Sequence, residues 1–171
     1  MGFFKSIFRG LTMSTEELIA DSQKVIDESN REMVTHYKET EGLDYKKSIT
    51  KNKVWGIEKE CGEVESVMLF SDRIRFRCQF KNRDLLFKDI INLEVLTDTQ
   101  IEQKSKLGQM MLIGVFALGT KTKTEEVVSR KLVINAKECG IEFSIIIDTL
   151  HDALTVAKEL NPIIEEYKKN T

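Results

Sequence analysis

From Val64 to the C-terminus the chain is a succession of short apolar runs, several of them alternating with polar residues, closed by one long amphipathic stretch. Strand-length runs need neighbours to pair with, and a single amphipathic helix needs a sheet to cover. This order therefore restricts the chain to an α+β architecture: a small antiparallel β barrel or roll of six or seven strands, capped by a C-terminal helix. With 171 residues, 41% of them hydrophobic, the chain has material for one substantial core plus an appendage.

The strands are expected at 64–70 and 73–80 around a Ser71-Asp72 turn, then along 85–95 after a turn at 81–84, and finally at 127–134 and 141–147 around Ala136-Lys-Glu-Cys-Gly140. In the second of these, Ile74, Phe76, Cys78 and Phe80 alternate with Arg73, Arg75, Arg77 and Gln79, so one set faces a core and the other faces away. The closing helix is expected over 148–169. Asp148-Thr149 caps it, Leu150, Ala153, Leu154, Ala157, Leu160, Ile164 and Tyr167 form its stripe, and Leu154 and Leu160 anchor it. Pro162 inside it predicts a kink or a restart at Asn161, because proline removes an amide and clashes with the preceding turn.

Ahead of this lie two further regions. Residues 1–45 combine a short basic amphipath with a helix. In the amphipath, Phe3, Phe4, Ile7, Phe8 and Leu11 recur at helical spacing around Lys5 and Arg9. Ser14-Thr-Glu-Glu17 is a capping box, so a helix begins there and carries Leu18, Ile19, Val25, Ile26, Met33 and Tyr37 to about Glu41, a stripe interrupted by Ser22 and Ser29. Residues 46–63 lose the apolar period and are expected as a connector to a domain at 64–171 that folds alone.

The two runs Glu65-Ser-Val-Met-Leu-Phe-Ser-Asp-Arg-Ile-Arg-Phe76 and Leu85-Leu-Phe-Lys-Asp-Ile-Ile-Asn-Leu-Glu-Val95, with the closing strand pair and final helix, resemble bacterial pleckstrin-homology-like domains of bacterial or phage type. The resemblance spans 64–169 and rests on pattern and order. It implies a binding or scaffolding role, including that of a regulator of a host factor. Its eukaryotic inositide pocket places a basic cluster in the first hairpin, whereas Arg73, Arg75 and Arg77 run along a strand, so that ligand does not transfer.

Composition narrows the functional classes. Lys+Arg 26 against Asp+Glu 28 gives a net charge of -2, with no overall positive field of the kind that draws nucleic acid. Cys61, Cys78 and Cys139 are odd in number and lack metal or disulfide spacing, which suits a reducing cytoplasm; Cys78 reads as core and Cys139 as turn. No metalloprotease, nucleophile-elbow, phosphate-loop or dinucleotide motif occurs, His36 and His151 stand apart from any nucleophile, and Asp148 and Asp152 read as helix-end partners. A non-enzymatic protein without cofactor, metal or small-molecule substrate is expected, binding a protein partner or another copy of itself.

Three features are candidate contact surfaces. Arg73, Arg75 and Arg77 present guanidinium groups on one sheet face, suited to a phosphate or an acidic peptide. Phe3, Phe4, Ile7 and Phe8 suit an anionic membrane surface, which is the alternative reading: a peripheral protein at the inner face of the membrane. The apolar run 107–119, framed by Lys104, Lys106, Lys121 and Lys123, is read as a buried strand or hairpin arm, or else as an apolar flap for membrane or oligomer contact.

Overall fold

The computed structural model describes residues 14–106 and 129–171, which fall into two compact units divided between Tyr45 and Lys46. The first contains helix α1 (Thr15–Glu41), starting directly after Ser14 and ending at Gly42, whose φ of 67° turns the chain out of the helix. Tyr37, near its end, is buried and stacks on Tyr45 with ring centroids 5.9 Å apart.

The second unit is built from two antiparallel sheets of four strands. Strand β1 (Tyr45–Ile49) belongs to the first sheet, and β2 (Lys51–Trp55) to the second. The short helix α2 (Glu58–Cys61) leads into β3 (Val64–Phe70), β4 (Arg73–Cys78) and β5 (Arg83–Leu86), completing the sheet order β1-β3-β4-β5. A 3₁₀ turn at Phe87–Asp89 carries the chain to β6 (Ile90–Thr97) of the second sheet; helix α3 (Asp98–Lys106) follows it, and β7 (Arg130–Glu138) and β8 (Ile141–Thr149) complete the order β2-β8-β7-β6. Helix α4 (Ala153–Lys169) closes the chain.

Three expectations need correction here. The described residues hold eight strands, in two sheets that do not close into a barrel. The stretch 46–63 is no mere connector. It supplies most of β1, all of β2 and α2, and its Ile49, Val54, Ile57 and Cys61 join the main core. Both strands lie at sheet edges, where lysines occupy exposed positions and mask the period-2 signal. Thr50 is the corner between them, and its carbonyl accepts from the Leu150 amide at 3.1 Å. Close to the other end of β2, Gly56 has a φ of 105°, and a Cβ there would lie 2.4 Å from the Ser144 carbonyl oxygen, so only glycine fits.

The closing helix supplies the third correction. Strand β8 continues through Thr149, so the cap is Asp152, which accepts from the Thr155 amide at 3.2 Å. The helix then runs through Pro162 without a restart; Pro162 and Lys158 are both exposed, so the carbonyl that loses its amide partner faces water. Ala153, Val156, Ala157, Leu160 and Ile164 are buried, whereas Leu154 is 39% exposed and anchors nothing in the core.

The main core lies between the sheets. Val67, Leu69, Ile74, Phe76 and Leu85 meet Leu132, Ile134, Phe143, Ile145 and Ile147 under α4, with Phe87 edge-on to Tyr167 at 5.6 Å. A smaller cluster occupies the outer face of the second sheet, where Ile101 of α3 packs with Leu96, Val133 and Ile146, and Trp55 packs against them. With both faces covered, β7 and β8 carry continuous apolar runs instead of alternation.

Candidate binding surfaces

The alternation in β4 does place Arg73, Arg75 and Arg77 on one face, and the β4–β5 register sets Asp84 opposite Arg75. Arg75 grips Asp84 with two hydrogen bonds, Nε to Oδ1 at 2.6 Å and Nη2 to Oδ2 at 2.8 Å, and lies over the Phe70 ring at 5.4 Å, leaving it 7% exposed. Arg73 donates to Asp84 at 3.0 Å and to both carboxylate oxygens of Asp72, at 2.7 and 3.0 Å. The hydrogen bond to Asp72 is the main cause that raises the Arg73 pKa above its ordinary value, against the opposing pull of burial. Burial pushes the Asp84 carboxyl upward, but hydrogen bonds from Arg75 and Arg73 outweigh it and hold the group below the usual carboxylate range. Arg77 is exposed, with Glu65 at 3.4 Å. Two of the three guanidinium groups are thus held by carboxylates of the chain itself.

This network makes a pH-dependent contribution to stability. Because the folded Asp84 pKa is depressed, its contribution is complete above the unfolded carboxyl range, around pH 4, and disappears as pH falls through the lower folded value. Asp84→Asn is expected to lower stability by about 2 kcal/mol at pH 7, since it weakens charge-assisted hydrogen bonds to two arginines. Denaturant melts at pH 7 and near pH 3 check this: the gap between variant and wild type should narrow at the lower pH.

Two grooves lie beside β1 and β2. One, of about 470 Å³, lies between β1 and the start of α4 and is lined by Lys47, Ser48, His151, Asp152, Thr155 and Glu159. Its charges are engaged internally: Lys47 pairs with Glu159, and Asp152 accepts from both the amide and the hydroxyl of Thr155. The other, of about 360 Å³, lies beside β2, where Lys51 donates to the Val64 carbonyl, Glu58 accepts from the amides of Gly56 and Ile57 at 2.7 and 3.1 Å, and Lys53 sits 5.5 Å from the Trp55 ring. Sequence reading missed both grooves, because their residues come from separate segments with no shared local pattern.

On α1, Ile19, Val25, Ile26 and Val34 are 64%, 67%, 52% and 41% exposed. Buried Cys61 and Cys78 are close neighbours; burial, followed by a hydrogen bond with Cys61, pushes the Cys78 thiol up to about 12, far from a reactive thiolate at neutral pH. Cys139 is exposed in the β7–β8 turn, with a φ of 50°. Among the described residues no His, Cys, Asp and Glu side chains cluster to hold a metal ion, and no helix is long and apolar enough to cross a membrane. Phe3, Phe4, Ile7 and Phe8, and the apolar run 107–119, lie outside the described residues. No protein-family model, curated protein or solved structure matches this chain.

Proposed function

We propose that the chain is a non-enzymatic, cytoplasmic binding or scaffolding module of the pleckstrin-homology-like kind, acting through protein–protein contacts with α1 as its docking arm. The order of its elements supports the kinship: β1 and β2 split between two sheets, then three more strands in one sheet, three in the other, and a closing helix. The observation that carries the docking role is the exposure of Ile19, Val25 and Ile26 on one face of α1. Scattered exposed aliphatics are ordinary on protein surfaces, whereas several that adjoin on one helix face mark a contact surface.

The test is native co-purification with the full chain and with a variant carrying Ile19→Ser, Val25→Ser and Ile26→Ser. The variant is expected to lose the co-purifying protein while keeping its melting temperature. Recovery of the same proteins by both chains would remove α1 from the contact. Flotation on anionic liposomes that survives in the variant and disappears on deleting residues 1–11 would favour the membrane reading instead.

A further inference from the structure

The same face of α1 carries information about the chemistry of its occupant. At 3.6 residues per turn, Ile19, Ser22, Val25, Ile26, Ser29 and Met33 fall on one stripe, about 21 Å long at 1.5 Å per residue. Asp21, Glu28, Glu32 and Glu39 form one border of the stripe, and Asp27 lies on the other side. The three basic residues of the helix, Lys24, Arg31 and Lys38, recur at intervals of seven, which places them together on the opposite side. All these charged side chains are on exposed residues. The apolar stripe is therefore edged by carboxylates on its Asp21–Glu39 side, where Lys24 reaches Asp21 at 4.0 Å from the back of the helix; on the other side Gln23 and Asn30 lie next to the stripe and Asp27 beyond them.

Resting on the docking-arm reading above, we infer that this face takes a basic amphipathic helix from a partner protein, its apolar ridge on the stripe and its Lys or Arg residues against the acidic Asp21–Glu39 border. A straight stripe of this length matches a helix of four turns, and Ser22 and Ser29 leave recesses between larger side chains for the partner's apolar residues. A second copy of α1 is disfavoured by charge. Packed antiparallel, the Asp21–Glu39 border meets itself; packed parallel, it meets the side where uncharged Gln23 and Asn30 lie next to the stripe and Asp27 precedes Lys38 and Arg31, so the border finds little compensation. An anionic lipid surface is repelled by the same carboxylates.

The test uses the full chain and two labelled synthetic helices of about 18 residues, one with Leu on its apolar face and Lys on its borders, the other with Glu in place of Lys. The Leu/Lys helix is expected to bind, protecting the 19–33 amides from hydrogen exchange, and the Leu/Glu helix to leave them unchanged. Replacing Val25 and Ile26 with Ser should weaken binding about tenfold or more, and Asp21→Lys with Glu28→Lys and Glu32→Lys should reverse the preference. Equal binding of both helices, protection outside α1, or binding indifferent to Val25 and Ile26 would overturn the inference. So would dimerisation through α1, displacement of the peptide by anionic vesicles, or α1 protection that vanishes on deleting residues 1–11, since each names a different occupant. If co-purification still depends on the α1 face while the peptides fail, the docking arm stands and only the basic partner falls.

Discussion

A chain beginning at Glu60 is expected to lose its cooperative melt, whereas one beginning at Leu43 is expected to keep it. The shorter chain lacks β1 and β2 and with them Ile49, Val54 and Ile57, which are 5%, 3% and 1% exposed in the main core. Burying each such side chain contributes about 1.5–3 kcal/mol, so the three together contribute about 5–9 kcal/mol. That is comparable with the whole stability of a typical domain, about 5–15 kcal/mol. The same cut leaves β3 without β1 and β8 without β2, exposing two sheet edges, and β8 is among the most apolar strands of the fold. Calorimetry and gel filtration of the two chains provide the measurement. A cooperative transition near that of the longer chain would show that 64–171 suffices, as the sequence pattern alone suggests.

Leu160→Ala is expected to cost about 2–5 kcal/mol, and Leu154→Ala about 0.5 kcal/mol or less. Leu160 is fully buried in the core beneath α4, and its truncation leaves a cavity as well as losing transfer energy. Leu154 is 39% exposed on the solvent side of the same helix. Denaturant midpoints of the two variants check the contrast. Equal costs would mean that α4 packs in a rotated register, with Leu154 facing inward.

Local pattern made the hairpins legible. Alternation in β4 and the Ser71-Asp72 turn announce themselves over a few residues, because a tight turn fixes the pairing of the strands beside it. Two expected bounds fail: β4 ends at Cys78, leaving Phe80 76% exposed instead of in the core, and β7 stays paired through Glu138, which shrinks the expected 136–140 turn to Cys139-Gly140. One local signal was overlooked. Thr97-Asp-Thr-Gln100 is a capping box, with the Thr97 amide donating to Gln100 at 2.9 Å and the Gln100 amide donating back to the Thr97 hydroxyl at 3.3 Å, and it starts α3. Helix period failed at the start of α4, where Leu150 fits the stripe but lies outside the helix and is exposed, since β8 still holds the chain through Thr149.

The sequence by itself determined the α+β class, the closing amphipathic helix, the extent of α1 and the shared face of Arg73, Arg75 and Arg77, because each depends on periodicities that neighbouring residues carry. Only the tertiary structure decided that Lys-rich 45–55 forms two edge strands in different sheets, since edge strands need bury little and so show little pattern. It also decided what the arginines do. Periodicity places a guanidinium group on a face, but whether that group is free for a ligand depends on what pairing brings across the strand. For Arg75 the β4–β5 register brings Asp84, nine residues away along the chain, and the charge that sequence offered to a partner is taken up within the fold.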